Sequence, residues 1–396
     1  MTKQDAGVGD DNLKAVLRRI DELGPVIAGD AAKAEELGHL TDAVVDGLRG
    51  AGLFGALVPA DLGGLDLTLP ESIEVFRAVA EHDASTAWTL AILADGALFG
   101  RLLGREPFAE LVVDGTTMIA GSLNPLTAAA VPAEGGYRLS GTVNYASGSH
   151  HADWLMVAAW VERDGIRSVV DGIPDLIAGI IPIGEATILD TWSPSGMRAT
   201  GSDDCRVDDV FVAQRFTFPW GDAATRSDDD VWSRIPLLVQ IGGALSATAV
   251  GAARGALRSF VDLAGAKTPS ASFDLLADRP QAQLAAGEAE GLVFAAEATL
   301  AAAVEDVWLQ GESGRLFEPT DRARLRARAV TATRLAAQAV DLLHEVGGMS
   351  AVAEGAPLER AWRDVHTATQ HLVLNSARYE VTGRILLGRD PGSPVI

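Results

Sequence analysis

Apolar positions recur at helical spacing along most of the chain, and one central segment interrupts this pattern. Between residues 12 and 54 the leucines, valines and isoleucines recur every three or four residues, which predicts two amphipathic helices. A further helix is expected from about Pro70 to His82, and another after the cap-type residues of Asp83-Ala-Ser-Thr-Ala-Trp88. Residues 1–118 are therefore predicted to form an N-terminal helical domain.

The hydrophobic spacing changes between residues 119 and 220. Apolar and polar side chains alternate from Tyr137 to Tyr145, which predicts a half-exposed strand. Residues 154–161 and 176–183 are continuous apolar runs, and the Asp164-Gly165 pair between them is a turn signal. These patterns predict a central β domain over residues 119–220.

Helical spacing returns in residues 221–396. In its clearest stretch, small and branched apolar residues recur at steps of four and three up to Gly347: Leu325, Ala329, Ala332, Ala336, Ala339, Leu343 and Val346. Such a narrow stripe suits close contact between helices. We predict a C-terminal helical bundle, and an α+β, mainly α class for the whole chain.

Composition limits the possible partners. The 396 residues carry a formal charge of -22, and neither nucleic acid nor an anionic membrane surface is expected to attract such a protein. The one cysteine, Cys205, excludes an intramolecular disulfide and is expected to be a small buried residue. Together with an acidic N-terminus that has no apolar core, these features predict a cytoplasmic protein.

Several common catalytic motifs are absent from the sequence. There is no Gly-x-Gly-x-x-Gly after a predicted strand, no Walker-type phosphate loop, no His-Glu-x-x-His and no Gly-x-Ser-x-Gly. His150 and His151 are adjacent, and His366 and His371 would lie about 140° apart on a helix, so neither pair forms a convincing chelate. No metal site is predicted.

Two motifs resemble those of the acyl-coenzyme A dehydrogenase superfamily. Gly196-Met-Arg-Ala-Thr-Gly-Ser-Asp203 looks like its middle-domain signature, and Pro357-Leu-Glu-Arg-Ala-Trp-Arg-Asp364 looks like its C-terminal stretch. The resemblance implies an N-terminal helical domain, a central β-barrel-like domain and a C-terminal four-helix bundle. It also implies a flavin between the last two domains, and a homotetramer.

The resemblance departs from the dehydrogenases at the catalytic base. Those enzymes place a glutamate about eight residues beyond the Arg-Asp pair, where this chain has His371 and Leu372. That replacement and Tyr145-Ala-Ser-Gly148 resemble instead the oxygenase components of two-component flavin-dependent monooxygenases. Membership of that branch implies reduced FMN or FAD from a separate NAD(P)H-dependent flavin reductase. It implies reaction with O2 through a C4a-hydroperoxide and oxygenation of a small, aromatic or heteroatom-bearing substrate.

The same resemblance supplies the candidate site residues. Ser147 is expected to contact flavin N5 or the oxygen adduct, and His371 is expected to act as a base or hydrogen-bond donor. Further flavin contacts are expected at Tyr145, Gly148, Arg279, Gly347 and Gly348. Trp88, Trp192 and Thr367 are candidate pocket walls. Each has a simpler structural alternative: the aromatics can be core residues, the glycines can end a helix, and Arg279 can be an ordinary surface residue.

Two other functions stay open at this point. An acyl-coenzyme A dehydrogenase with its catalytic base on another helix would have the same fold. A non-catalytic flavin-fold binding protein would have the same motifs and no reaction with oxygen.

Overall fold

The computed structural model describes residues 3–221, 230–270 and 272–392, with side chains from residue 11 onwards. Helices occupy the N-terminal part, strands lie between Ile119 and Pro219, and helices follow to the C-terminal end of the described chain. The predicted α+β, mainly α class is confirmed. The three-domain division itself stays a prediction.

In the described residues, six α-helices precede the strands: α1 Lys3–Leu37, α2 Asp42–Gly50, α3 Leu69–Ala80, α4 Ala84–Ala94, α5 Gly96–Leu103 and α6 Arg105–Leu111. Side-chain caps start α3, near the predicted Pro70, and α4, at the predicted cap-type segment. Thr68 forms a capping box with Glu71 at α3, and the Asp83 carboxylate accepts a hydrogen bond from the backbone N–H of Thr86 at α4. Helix α4 is buried on nearly every side, because it lies between the helices and the sheet.

The described chain then forms eleven strands: β1 Ile119–Gly121, β2 Ala128–Ala133, β3 Gly136–Val143, β4 Trp154–Arg163, β5 Ile166–Arg167, β6 Val169–Val170, β7 Ile173–Pro174, β8 Leu176–Pro182, β9 Thr187–Leu189, β10 Asp204–Ala213 and β11 Thr217–Pro219. The main sheet has the order β11-β8-β4-β2-β3-β10-β9. The central pair β2 and β4 is parallel, whereas β3 pairs antiparallel with β2 and β10.

One strand is shorter than its alternating pattern predicts. β3 ends at Val143, and Tyr145 has a left-handed backbone with φ 57° and a side chain that is 69% exposed. The chain turns there because the Asp204 carboxylate accepts hydrogen bonds from the Asn144 side chain and the Tyr145 backbone N–H. The hydrophobic alternation could not reveal this turn, since Tyr145 continues the alternating pattern without lying in the strand.

The C-terminal helices are α7 Val231–Arg234, α8 Leu237–Ala266, α9 Pro280–Glu312, α10 Pro319–Gly347, α11 Pro357–Ala368 and α12 Arg378–Leu386. Helix α10 packs against α8, α9, α11 and α12.

Two segments, Ala84–Leu103 and Leu237–Ala266, are long and apolar enough to cross a membrane. However, 78% and 83% of their most apolar windows are buried inside the protein. Core helices of this kind pass the same test. A Cβ on Gly251 would lie 2.1 Å from the Arg77 carbonyl oxygen, so α8 and α3 pack with their backbones in contact.

Candidate active site

The segment after β3 carries Ser147 and is tied to the loop before β10. The backbone N–H of Ala146 donates to the Asp203 carbonyl at 3.0 Å, and that of Gly148 donates to the Thr200 carbonyl at 2.8 Å. Gly148 has φ 77°, and a Cβ there would lie 2.9 Å from Leu93 of α4. Glycine is therefore required for the segment to lie against α4.

Ser147, Trp88 and His371 meet at this point, although each comes from a different part of the chain. The Trp88 indole N–H donates to the Ser147 hydroxyl at 3.3 Å. The His371 ring lies edge-on to Trp88, with 5.3 Å between the ring centroids and 78° between the planes. Trp88 and Ser147 are both buried. The structure thus brings together the two predicted catalytic residues and one predicted pocket wall.

His371 lies beyond the end of α11 and not on it. The helix ends at Ala368, and the backbone N–H of His371 donates to the Ala368 carbonyl in the turn that follows. The separation of about 140° expected for His366 and His371 on one helix therefore does not apply, because the helix ends between them. The turn still directs the two histidines apart, since His366 faces Asp341, with 2.8 Å between its Nε2 and the carboxylate.

Burial lowers the pKa of His371 to about 4, so its imidazole is neutral at neutral pH. Its Nδ1 accepts a hydrogen bond from the backbone N–H of Val373 at 3.4 Å. In a neutral imidazole only one nitrogen carries a proton, so this contact leaves the proton on Nε2. His371 is therefore oriented as an uncharged hydrogen-bond donor.

The loop before β10 is held by a contact with α11. Met197 has a left-handed backbone with φ 56°, and its N–H donates to the Asp364 carboxyl group at 2.5 Å. The Met197 carbonyl accepts the Trp192 indole N–H at 3.0 Å. Gly196 is pressed against α11, where a Cβ would lie 2.2 Å from the Arg363 carbonyl oxygen. The conformation of the Gly196–Asp203 motif is therefore stabilised by contacts with α11.

Three hydroxyl groups connect this loop to the cluster. Thr200 Oγ1 donates to the Met197 carbonyl at 2.9 Å and lies 2.6 Å from Ser202 Oγ. Ser202 Oγ lies 2.7 Å from Ser147 Oγ. All three side chains are buried, and their order from the loop outward is Thr200, Ser202 and Ser147.

Asp364 is almost completely buried, and burial raises its pKa to about 8, with the neighbouring Asp83 adding to the shift. Its second oxygen has no hydrogen-bond partner among the described residues. The neighbouring Arg363 forms ion pairs with Glu35 of α1 at 2.9 Å and with Glu359 of α11. At neutral pH the carboxyl group of Asp364 is thus uncharged. The charged side chains beside it, Arg363, Glu35 and Glu359, form ion pairs with one another.

Other predicted residues lie around the same loop but outside the cluster. Trp192 is half-buried, and its backbone N–H donates to the Asp203 carboxylate at 2.8 Å. Tyr145 is exposed and meets Trp192 edge to face, with 6.1 Å between ring centroids. Thr367 donates to the Arg363 carbonyl and faces Gly196. Of these three, Tyr145 contacts the cluster, because its carbonyl accepts the Ser147 backbone N–H at 2.9 Å. Trp192 and Thr367 make no hydrogen bond or ring contact with Ser147 or His371 within the described residues.

Arg279, Gly347 and Gly348 lie elsewhere in the chain. Gly347 ends α10, and its carbonyl accepts a hydrogen bond from the Lys267 ammonium at 2.7 Å. Gly348 has φ 57°, which makes it a helix stop. Arg279 precedes α9, and its guanidinium makes no hydrogen bond or ion pair within the described part of the chain. None of the three contacts the cluster, so their flavin role stays a prediction.

The cluster suits the edge of a planar, hydrogen-bonding ring such as a flavin. Ser147 can offer a lone pair or a proton, Trp88 provides an aromatic wall, and His371 provides an uncharged donor. Sequence reasoning missed Thr200, Ser202 and Asp364 as contributors. The signal was present, since the hydroxyls lie inside the Gly196–Asp203 signature, but that motif was interpreted only as a marker of the fold.

Comparisons with known proteins give one consistent result. A family model described as the C-terminal domain of acyl-CoA dehydrogenases matches residues 244–376. The oxygenase subunit HsaA of a flavin-dependent monooxygenase from Mycobacterium tuberculosis is 32% identical over 97% of this chain and 98% of its own length. Its crystal structure superposes with a TM-score of 0.87 at 30% identity, over 97% and 100% of the two chains.

Two further relatives are similar over nearly the full length. The oxygenase component of an FADH2-dependent resorcinol hydroxylase from Rhizobium sp. is 28% identical over 94% of each chain. XiaF from Streptomyces sp., solved with FADH2 and glycerol, has a TM-score of 0.90 at 25% identity, over 100% of both chains.

We expect the Asp364→Asn variant to change how stability depends on pH. The pKa of Asp364 is raised in the folded protein, so between about pH 4 and pH 8 the folded state holds a proton that the unfolded state has lost. Wild-type stability therefore falls as pH rises through this window, with a contribution of at most about 1.4 kcal/mol per pH unit. Chemical denaturation at several pH values should show a shallower decline for Asp364→Asn.

Asp364→Leu provides the contrast, because it removes the acceptor of the Met197 N–H. It should lose stability at every pH, by about 1–3 kcal/mol. Parallel pH profiles for wild type and Asp364→Asn would contradict the protonated state of this carboxyl group.

Proposed function

Because the chain belongs to the flavin-dependent monooxygenases that share the acyl-coenzyme A dehydrogenase fold, we propose that it is the oxygenase component of a two-component system. It uses reduced flavin, supplied by a separate NAD(P)H-dependent reductase, and O2 to oxygenate a small aromatic or heteroatom-bearing substrate. Full-length similarity to oxygenase subunits supports the enzyme class and the need for a reductase.

The observation that carries this proposal is the composition of the cluster. Within the described residues, the partners of Ser147, Trp88 and His371 are hydroxyl groups, aromatic rings and backbone groups. An acyl-thioester dehydrogenase needs a carboxylate to remove a substrate proton. At the corresponding place this chain has a neutral His371 followed by Leu372, which is 44% exposed. The site therefore favours oxygenation.

The bound reduced flavin supplies the electrons that activate O2. The chain's own residues bind and enclose the reacting groups. Ser147 holds the edge of the ring, and Trp88 excludes water from the adjoining space. His371 donates its Nε2 proton toward oxygen, because its Nδ1 is occupied by the Val373 N–H. This assigns His371 the donor role in preference to the base.

FAD is the flavin that we propose, with FMN as the alternative. The resorcinol hydroxylase component is named as FADH2-dependent, and XiaF was solved with FADH2.

We also propose that the enzyme is located in the cytoplasm, where a soluble reductase and a reducing environment would be available. Fractionation of cells carrying a tagged chain tests this location. Cys205 is compatible with that compartment, since it is fully buried and burial raises its pKa to about 11.

A homotetramer is the proposed assembly, with α9 at an interface between copies. One face of this helix carries four exposed residues at steps of three and four. They are Leu284, Gly287, Gly291 and Phe294. Nothing lies within 4 Å of a Cβ on either glycine, so another helix could approach closely. Arg279 stands at the start of the same helix, where a neighbouring copy would cover it.

The enzyme class is tested by mixing the protein anaerobically with photoreduced FAD or FMN and then admitting O2. With no substrate present, we expect tight binding of the reduced flavin and slower reappearance of oxidised flavin than in free solution, with an equivalent amount of hydrogen peroxide released as the flavin is reoxidised. An acyl-coenzyme A should not reduce the flavin-loaded protein under anaerobic conditions. Reduction by the thioester would instead identify a dehydrogenase, and failure to bind either reduced flavin would identify a non-catalytic protein.

His371→Ala should uncouple oxygen consumption from product formation. Loss of the donor should lower product per reduced flavin by about tenfold or more, with a smaller effect on flavin affinity. Because the pKa of His371 is about 4, the wild-type yield should not show a histidine titration between about pH 6 and pH 8. Since the substrate is unidentified, the first readout is hydrogen peroxide released per reduced flavin with panels of phenols and indoles.

His366→Ala is the matched control, because His366 is paired with Asp341 on the other side of the turn. It should behave like wild type. Equal effects of the two substitutions would remove His371 from the site.

Phe294→Asp should dissociate the assembly, because it places a charge in the proposed α9 interface. Light scattering should show a tetramer for wild type and a smaller species for the variant. Ile166→Asp, which changes a residue of similar exposure on β5, should leave the mass unchanged. A monomeric wild type, or a variant with unchanged mass, would contradict this interface.

A further inference from the structure

We propose that Thr200 and Ser202 control the direction of the hydrogen bonds made by Ser147. The same Ser147 hydroxyl can then accept a hydrogen bond from reduced flavin or donate one to oxidised flavin. This inference rests on the proposed function, because it requires a flavin edge at Ser147. Thr200 and Ser202 act through Ser147, so they are positioning residues.

The three hydroxyls form a chain whose ends are fixed. At the inner end is the Met197 carbonyl, which can only accept. At the outer end Ser147 accepts the Trp88 indole N–H, which can only donate. Each hydroxyl has one proton and two lone pairs, so the short contacts of 2.6 Å and 2.7 Å between them can each run in either direction.

In the inward arrangement every proton points toward Met197. Thr200 donates to the Met197 carbonyl, Ser202 donates to Thr200, and Ser147 donates to Ser202. Ser147 then has one lone pair occupied by Trp88 and one lone pair left. It can only accept from a ligand, and the N5–H of a reduced flavin is such a donor.

In the outward arrangement every proton points away from Met197. Thr200 donates to Ser202, and Ser202 donates to Ser147, whose lone pairs are then both occupied. The Ser147 proton is left for the ligand, and the N5 of an oxidised flavin carries a lone pair that accepts it. Met197 keeps the hydrogen bond from the Trp192 indole N–H at 3.0 Å.

The two arrangements differ by one internal hydrogen bond, because only the inward one includes the bond from Thr200 to the Met197 carbonyl. The chain ends at a carbonyl that has no proton to exchange, so reversal rotates three hydroxyls and transfers no net proton. The inward arrangement is therefore the resting one, and it presents an acceptor. One net hydrogen bond corresponds to a preference for reduced over oxidised flavin of about threefold to tenfold.

The substitutions that separate these states are Ser202→Ala and Thr200→Val. Without Ser202, Ser147 loses its internal acceptor and can serve either ligand equally. In the Thr200→Val variant, the inward arrangement loses its bond to the Met197 carbonyl, so the two arrangements contain the same number of hydrogen bonds. Preference for reduced flavin should therefore be lower in both variants than in wild type.

The measurement is the dissociation constant of reduced and of oxidised FAD, determined anaerobically for each protein, together with its melting temperature. We expect the preference for reduced flavin to fall by about threefold to tenfold in both Ser202→Ala and Thr200→Val. Ser149→Ala is the matched control, because Ser149 is a buried serine that donates to the Gly201 carbonyl of the same loop without joining the chain. It should leave the preference unchanged.

The conservative variants Thr200→Ser and Ser202→Thr keep the hydroxyls and should keep the wild-type preference, including where the alanine or valine variant fails to fold. A preference that is unchanged in the folded Ser202→Ala and Thr200→Val proteins would overturn the proposal. The proposal would also be overturned if Thr200→Ser changed the preference for reduced flavin as much as Thr200→Val does. If wild type binds no reduced flavin, the proposed function itself fails, which is a separate outcome.

Discussion

The hydrogen bond from the Met197 backbone N–H to Asp364 is the contact on which the site depends. It is 2.5 Å long, fully buried, and joins the loop before β10 to α11. Met197 has a left-handed backbone, which costs a non-glycine residue about 1 kcal/mol or more and persists only where neighbouring contacts enforce it. Here Asp364, the close approach of Gly196 and the Trp192 indole N–H enforce it together. The position of Ser147 follows, because Thr200 and Ser202 belong to the same loop.

The cluster of Ser147, Trp88 and His371 carries no charge, and the ionisable groups around this contact show why. Burial raises the pKa of Asp364 and lowers that of His371, so both groups are neutral at neutral pH. The pKa of Glu35 is lowered, because its ion pairs with Arg363 and Arg360 outweigh the effect of burial. The charges that remain are thus paired outside the cluster. Uncharged, buried and aromatic surroundings of this kind protect an oxygen-activating cofactor from water.

Sequence reasoning found the elements whose signals are local. The start of α3 near Pro70, the cap of α4 at Asp83, the apolar runs of β4 and β8 and the Asp164-Gly165 turn all lie where they were predicted. Ser147 and His371 came from resemblance, and the structure places both beside Trp88. The features that the sequence did not reveal depend on contacts between residues that are far apart in the chain. Tyr145 leaves its strand because Asp204 holds the turn, and α11 ends before His371, although the intervening residues continue a helical spacing.

The difference between an oxygenase and a dehydrogenase on this fold is local. Dehydrogenation requires an ionised base at the substrate, whereas oxygenation requires donors that stabilise oxygen without removing a proton. In this chain the Val373 N–H occupies Nδ1 of His371, which leaves the proton of the neutral imidazole on Nε2. Ser147 is likewise a neutral partner whose proton can be directed inward or outward by the residues behind it. The hydrogen-bond direction of these two uncharged side chains thus favours the reaction with oxygen.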